Sequence, residues 1–286
     1  MVNSSYPNGV NRQMTSSVQP QDVKKLNLLY EADVLIEQAK RLQARRRHAE
    51  AEPLLKQAIE KRKQALGADD PQVAFAMHDL AEYDRASGKF AEAEKLLNEA
   101  LALVEKAYYA DHANVAVILN SLAACYVDQG KYAEAEPIFK RVLEINGKTL
   151  SGEHRFVIET TRNLAAAYRK LGKFADGQQL LTKALKQVET PLGPFGDFQY
   201  ELALAYEGES KHAEAEKAYQ QAALALEQRA RYMRLAKCLE SYAGMLASMD
   251  RKKDAEQVAK RAKIFAGYGT DQDEEAAFLP STLLRA

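Results

Sequence analysis

The stretch "DQGKYAEAEP", from Asp128 to Pro137, occurs three times in related forms along the chain. Forty-two residues before it stands "ASGKFAEAEK" (86–95), and forty-two residues after it stands "KLGKFADGQQ" (170–179). The slot of the first alanine in "AEAE" recurs at Ala49, Ala91, Ala133, Ala175, Ala213 and Lys253. Because periods of about 20–50 residues are typical of stacked repeats, the sequence predicts an array of six copies in one domain.

Each copy contains two helical patterns separated by a short break. In the third copy, apolar residues recur at helical spacing in "NVAVILNSLAACYVDQ" (114–129) and again in "AEAEPIFKRVLEI" (133–145). Gly130 lies where the first helix must end, and glycine readily adopts the left-handed conformation of a helix C-cap. Gly88 and Gly172 share this slot. The other copies place Arg46, Ser210 and Asp250 there, so we expect less strongly specified turns at those points.

Small residues recur at the positions where two helices must approach closely. The first helices carry Ala39, Ala81, Ala123, Ala165, Ala203 and Ala243 in one slot. The second helices carry Ala51, Ala93, Ala135, Gly177, Ala215 and Ala255 in one slot, and Ala58, Ala100, Val142, Ala184, Ala222 and Ala262 seven residues later. These rows predict helix hairpins that pack on one another along the array.

The stretches "LAACYVDQGKYAEAEPIFKRVL" (122–143) and "DHANVAVILNSLA" (111–123) carry a family resemblance. Their order of small residue, aromatic, glycine, aromatic and alanine resembles the tetratricopeptide repeat, and the 42-residue period resembles the variant of kinesin light chains. The resemblance covers residues 36–262. It implies an all-α fold, a solenoid of about six hairpins wound as a right-handed superhelix.

The domain prediction has three parts. Residues 1–21 form a disordered N-terminal tail, residues 22–267 form the array, and residues 268–286 form a C-terminal cap or tail. The six repeats are predicted near residues 31–70, 71–112, 113–154, 155–194, 195–230 and 231–267.

Composition narrows the classes of partner. Lys plus Arg equals Asp plus Glu, 40 against 40, so no net field attracts the chain to nucleic acid or an anionic membrane. The start lacks a basic head followed by an apolar run, and no stretch has 18 consecutive apolar residues, which argues against a signal peptide or membrane insertion. Cys125 and Cys238 have no ligand spacing and are expected to be reduced packing residues. We expect a soluble, cytoplasmic protein.

No catalytic, cofactor or metal motif was identified. Four of the five histidines follow the repeat, since His112 and His154 share one slot and His48 and His212 share another. One histidine per repeat places these side chains too far apart to share a metal ion. No phosphate-binding glycine loop is present, and the paired glutamates recur on solvated helix faces. The sequence therefore favours a protein that is not an enzyme and holds no cofactor.

The tetratricopeptide resemblance implies that the first helices line a concave groove. The predicted peptide-binding residues in that groove are His78, Arg85, Asn120, Val127, Arg162, Asn163, Arg169, Lys170 and Tyr200. In kinesin light chains, asparagines and basic residues on these helices hold a short acidic peptide, and Asn120, Asn163 and Arg169 match that pattern. Val127 departs from it, because a basic residue is expected in its slot. The alternative, that these are ordinary solvated side chains, stays open.

Two functions follow from this reading. The first is a non-catalytic adaptor whose groove binds an extended peptide or protein segment, with an acidic segment as one candidate partner. The second is a scaffold or assembly-factor subunit that docks through its ends, its convex face or its C-terminal tail, "AAFLPSTLL" (276–284). The sequence leaves self-association open.

Overall fold

The computed structural model describes residues 19–45, 47–152, 154–188 and 194–268, and in these ranges the chain forms twelve α-helices and no strand. The helices are α1 (Pro20–Ala44), α2 (His48–Leu66), α3 (Pro71–Ala86), α4 (Phe90–Ala107), α5 (Ala113–Asp128), α6 (Tyr132–Gly147), α7 (Arg155–Lys170), α8 (Phe174–Lys186), α9 (Phe195–Gly208), α10 (His212–Gln228), α11 (Tyr232–Ser248) and α12 (Lys252–Ala266). This order confirms the predicted all-α class and the six pairs of helices.

The chain divides into two compact units, residues 1–76 and residues 77–286. In the first unit, α1 packs against α2 through alanines of the predicted rows, including Ala39, Ala51 and Ala58, all fully buried. Arg62 of α2 is also buried, and its guanidinium donates hydrogen bonds to Asp33 Oδ1 at 2.8 Å and to the Gln72 carbonyl at 2.9 Å. A buried guanidinium requires such acceptors, so this hairpin has a polar as well as an apolar contact.

In the second unit, each helix from α4 to α11 packs against the next helix in the chain. The first helices of the hairpins also contact one another in succession, α5 with α7, α7 with α9 and α9 with α11. No comparable contact joins successive second helices within the described ranges. The first helices of this unit are therefore more closely spaced than the second helices, so their side chains meet directly across neighbouring hairpins.

The small-residue rows lie at the helix contacts, as predicted. In both units, every residue in the first-helix row, from Ala39 to Ala243, is buried. Every residue in the earlier of the two second-helix rows, from Ala51 to Ala255, is also buried. The later second-helix row, from Ala58 to Ala262, is buried except at Ala184. Ala184 is only partly covered because α8 ends two residues later at Lys186. Larger side chains fill the spaces between the alanines, and Leu97, Phe139 and Tyr219 are each 0% exposed.

The turns inside the hairpins share one backbone geometry. Gly88, Gly130 and Gly172 have φ values of 77°, 75° and 71°, and Ser210 and Asp250 adopt 58° and 60° in the same slot. In each of these turns, the residue after the slot donates its N–H to the carbonyl five residues earlier, as in a Schellman motif. The expectation of less well specified turns was therefore wrong for Ser210 and Asp250, because hairpin packing imposes the conformation without glycine. Arg46 lies outside the described residues.

The predicted tails fall almost wholly outside the described residues, which exclude 1–18 and 269–286. Helix α1 begins at Pro20, two residues earlier than predicted. The proposed repeat boundaries remain predictions.

Candidate functional site

Polar side chains of the first helices form a continuous surface across the second unit. We call it the first-helix face. It consists of His78, Glu82, Arg85, Asn120, Ser121, Asp128, Glu159, Arg162, Asn163, Arg169, Lys170, Asp197, Glu201, Arg231 and Arg234. Each of these residues lies on α3, α5, α7, α9 or α11, or at the start of α11. Because these helices follow one another at close spacing, a ligand lying across them would contact several hairpins at once.

The α3 end of the face is already internally paired. Arg85 donates to Asp128 Oδ2 of α5 at 2.6 Å and to Glu82 Oε2 at 2.9 Å. His78 Nε2 lies 2.8 Å from the Ser121 hydroxyl. Although burial lowers the pKa of Arg85, its two carboxylate partners outweigh burial and raise that pKa. Arg85, predicted from sequence as a free basic group, is therefore neutralised within the fold.

Glu82 is the anionic centre of this cluster, with 18% of its side chain exposed. Burial alone would raise the pKa of its carboxyl. The charges of His78 and Arg85, with hydrogen bonds from Arg85 and Ser121, outweigh burial and hold the pKa below its usual value. The His78 Nδ1 atom has no hydrogen-bond partner among the described residues.

The predicted α5 residues support the face. The Asn120 side-chain amide lies 3.1 Å from the Thr160 hydroxyl of α7, whose single proton is donated to the Phe156 carbonyl at 2.7 Å, so Asn120 joins α5 to α7 on this face. Val127 is half-buried and packs against the apolar cluster around Phe139. It occupies its predicted place on α5 but contributes apolar surface.

Helix α7 presents cationic groups that the fold leaves unpaired. Arg162 and Arg169 are each partly exposed, and neither forms an ion pair or a hydrogen bond with another described side chain. Their Nε atoms are shielded from solvent and lack an acceptor. Asn163 is half-exposed, and Lys170 is exposed at the end of the same helix. Arg162 and Arg169 thus differ from Arg85 and Arg234 of the same face in having no carboxylate within ion-pair distance among the described residues.

The surroundings of Arg162 disfavour its positive charge, so an anion bound beside it would be stabilising. Burial lowers the pKa of its guanidinium and the nearby charge of Arg234 lowers it further, while Asp197 and Glu201 act in the opposite direction. The guanidinium still carries its charge at neutral pH. A carboxylate placed against Arg162 would offset both the lost hydration and the repulsion from Arg234.

Glu159, one turn before Asn163 on α7, is the acidic neighbour of these arginines. Burial raises the pKa of its carboxyl above the usual value, although the charges of Arg155 and Arg162 oppose the rise. Because this carboxyl is itself poorly solvated, it only partly compensates the arginines of α7.

The α9–α11 end contains a second paired cluster that the sequence reasoning missed. Asp197, only 4% exposed, accepts from Arg234 Nε at 2.8 Å and from Arg231 at 3.3 Å. Arg234 also lies 3.8 Å from Glu201. The two carboxylates lie on α9, and the two arginines lie at the start of α11, the next first helix. Opposite charges at matching places of successive first helices are the sequence signal that could have revealed these pairs.

Tyr200, predicted from the sequence as a groove residue, is almost fully buried by its own fold. Its side chain is 4% exposed, its ring lies 5.7 Å beneath the Arg234 guanidinium carbon, and its hydroxyl lies 2.9 Å from the Ser241 hydroxyl of α11. The α9 helix sits close enough to α11 to cover this ring. The Tyr200 ring therefore packs against the guanidinium of Arg234 on its buried side.

Two of the other histidines, His112 and His154, cap helices. His112 and His154 are the N-caps of α5 and α7, and their Nδ1 atoms accept from the backbone N–H of Asn114 at 3.0 Å and of Phe156 at 3.3 Å. This use of histidine as a cap was not anticipated from sequence. Among the residues that the structure describes, no group of His, Cys, Asp and Glu side chains has the geometry of a metal site.

Comparison with known families identifies the class of the protein. Models of the tetratricopeptide repeat match residues 30–106 and 107–190, and a further model with the same description matches residues 162–232. These matches cover more than half of the chain, which therefore belongs to the tetratricopeptide repeat family. No curated protein matches the sequence.

Solved structures place the repeats within that family. A crystal structure of kinesin light chain TPR-like repeats from Podosopora anserina is 26% identical, with a TM-score of 0.63, over 68% of this chain and 95% of that chain. BtubC from P. vanneervenii is 18% identical, with a TM-score of 0.59, over 85% and 91%. PilF from Pseudomonas aeruginosa is 19% identical, with a TM-score of 0.54, over 91% and 99%. The repeats are of the kinesin-light-chain-like type, as the sequence indicated, and the two less similar structures show the fold alone.

Membership in this family establishes a general role in protein–protein interaction or scaffolding, and the family is generally non-catalytic. None of the described helices is both long and apolar enough to cross a membrane.

Proposed function

We propose that this protein is a non-catalytic adaptor that binds an extended, acidic segment of another protein across the first-helix face, centred on α7. The observation that carries the proposal is the pair of unpaired guanidiniums, Arg162 and Arg169, on one helix between two clusters that are already neutralised. Unsatisfied donors of this kind favour a partner that brings acceptors and negative charge.

The flanking residues define what such a partner would meet. Asn120 and Asn163 offer amide groups that can pair with an extended backbone, and Val127 adds apolar contact. The arginines of the paired clusters at either end already contact carboxylates of the fold, so we expect acidic residues of the ligand to bind mainly at α7. The expected ligand therefore contains a short acidic stretch, and the residues on either side of it are selected by how well their shape fits the rest of the first-helix face. A cytoplasmic location stays a prediction from the sequence.

The test begins with a displayed library of random peptides selected against the full chain. We expect the bound peptides to be enriched in Asp and Glu, and we expect the double variant Arg162→Glu/Arg169→Glu to weaken their binding by about tenfold or more in fluorescence anisotropy. Lys95→Glu/Lys183→Glu, which makes the same charge change at exposed positions of the second helices α4 and α8, is the matched control and should bind normally. Equal loss in both variants would show that only net charge matters.

A second variant tests the opposite direction. Glu159→Gln removes a carboxyl next to Arg162, so binding of the selected peptides should tighten by a few fold. Selected peptides that lack acidic residues, or that bind all variants equally, would remove the assignment of the first-helix face.

The alternative function is a scaffold that docks through an end of the array. It is favoured by the exposed apolar side chains of α1, Val23, Leu26 and Tyr30, which are 45%, 61% and 72% exposed and share one side of the helix. Replacing all three with serine should release a partner bound in this way and leave peptide binding at α7 intact. Deletion of residues 268–286 applies the same test to the C-terminal segment.

A further inference from the structure

The last described helix of the array is covered less completely than α10, and its Val258 and Phe265 pack against the core while staying partly exposed. Helices α10 and α12 occupy equivalent places, with Ala213 and Lys253 in the same slot. Five slots that are buried on α10 are occupied there by Ala218, Tyr219, Ala223, Ala225 and Leu226. The corresponding α12 residues are Val258, Ala259, Lys263, Phe265 and Ala266, and none of them is buried. We call these five residues the α12 end face.

The cause of this difference lies in which chain segment follows each helix. Helix α10 packs against α9 and also against α11, which follows it after a short turn, whereas the described helix packed against α12 is α11. Phe265 of the α12 end face forms an aromatic cluster with Tyr232 and Tyr268, with ring centroids 5.8–6.4 Å apart, and Tyr268 is still 62% exposed. An apolar surface that neighbouring repeats would otherwise bury is left in contact with water at this end.

The chain that follows Tyr268 has the composition to cover this surface. Residues 271–275, "DQDEE", contain four carboxylates, and residues 276–284, "AAFLPSTLL", are mostly apolar. The described α12 residues include five basic groups, Lys252, Lys253, Lys260, Arg261 and Lys263, against two acidic ones, Asp254 and Glu256. The charges of the two segments are thus complementary, and covalent attachment gives the following segment a high effective concentration at α12.

Length permits this contact. Helix α12 has 15 residues, which corresponds to about 22 Å at the helical rise. The eighteen residues from 269 to 286 span up to about 60 Å when extended. The segment can therefore turn back at Gly267 and run the whole length of α12.

We propose that residues 269–286 dock on the α12 end face, with their apolar half against Val258, Phe265 and Ala266 and their acidic half beside the lysines of α12. Docked in this way, the segment closes the array in place of a seventh hairpin. It also keeps the end face from associating with a second copy of the chain.

The test uses hydrogen exchange of the full chain, with amides of α5 and α6 as the internal check that the fold is intact. The variant Phe278→Asp/Leu279→Asp should make α12 amides exchange about tenfold faster, because the apolar contact is lost. Ser281→Asp/Thr282→Asp adds the same charge to the same segment but keeps its apolar residues, so α12 should exchange as in the wild type. Identical α12 rates in the wild type and in the Phe278→Asp/Leu279→Asp variant would overturn the proposal.

Charge complementarity is tested separately. Lys260→Glu/Lys263→Glu should speed α12 exchange, and combining it with Glu274→Lys/Glu275→Lys should restore slow exchange. Two other outcomes overturn the proposal by naming another occupant. Loss of protection at α7 in the Phe278→Asp/Leu279→Asp variant would place the segment on the first-helix face. Protection of α12 that disappears on dilution, with a matching change in sedimentation, would place a second copy there.

Discussion

Among the described residues of the second unit, three residues other than glycine adopt left-handed backbone conformations. Ser210, Ala230 and Asp250 have φ values of 58°, 53° and 60°. Each precedes a residue whose N–H closes the turn, as Lys211 does by donating to the Tyr206 carbonyl at 2.9 Å. A side chain in this conformation costs about 1 kcal/mol or more relative to glycine, so packing of the flanking helices must supply the difference.

The first prediction concerns these turns. Ser210→Gly should raise the free energy of unfolding by roughly 0.5–1 kcal/mol, and the reciprocal change Gly130→Ser should lower it by a similar amount. Asp250→Gly should gain less, because aspartate tolerates this conformation better than most residues. Urea unfolding measures all three. If Ser210→Gly lowers stability, the hydroxyl contributes more than the backbone strain removes.

The second prediction concerns Glu82. Because the folded-state pKa of Glu82 lies below its unfolded value, the charged carboxyl stabilises the fold at pH above about 4.3. That contribution disappears as pH falls through the folded pKa. Glu82→Gln should therefore lower stability at pH 7 and have little effect near pH 3. Glu134→Gln, at an exposed position on α6, is the control and should change little at either pH. A pH-independent loss in Glu82→Gln would indicate a packing effect.

At the scale of the element, the alanine rows set how closely the helices approach. Ala123 is 0% exposed and packs in a cluster with Ala135, Phe139, Leu164 and Tyr168. That cluster joins α5, α6 and α7, so one small side chain determines the spacing of three helices.

The third prediction follows from this spacing. Ala123→Leu should lower the free energy of unfolding by about 1–3 kcal/mol, because the added carbons force the helices or rotamers to shift. Ala133→Leu makes the same change at an exposed position of α6 and should be nearly neutral. Thermal unfolding compares the two variants. Equal effects would mean that the row does not set the packing distance.

At the scale of the whole molecule, contacts in the second unit run mainly between neighbouring helices. Stability in such an array is a sum of local hairpin terms and nearest-neighbour terms, so damage should stay local. The first-helix face depends on the same arrangement, because its residues come from several hairpins.

The fourth prediction tests this locality. Phe139→Ala, at a side chain that is 0% exposed, should cost about 3–5 kcal/mol locally and speed amide exchange in α5, α6 and α7. Exchange in α11 should stay close to the wild-type rate. Uniform acceleration across all helices in hydrogen-exchange mass spectrometry would show a single cooperative unit.

The sequence by itself determined the helix pairs, the buried alanine rows and the glycine turns, because these follow from short-range periodicity and from the backbone preferences of single residues. It also placed Arg162 and Arg169 on one helix. Only the tertiary structure decided which charges are paired. Arg85 is neutralised by Asp128, 43 residues away, and Tyr200 is covered by α11. Those outcomes depend on how closely successive first helices approach, a distance that packing fixes and that no single repeat contains.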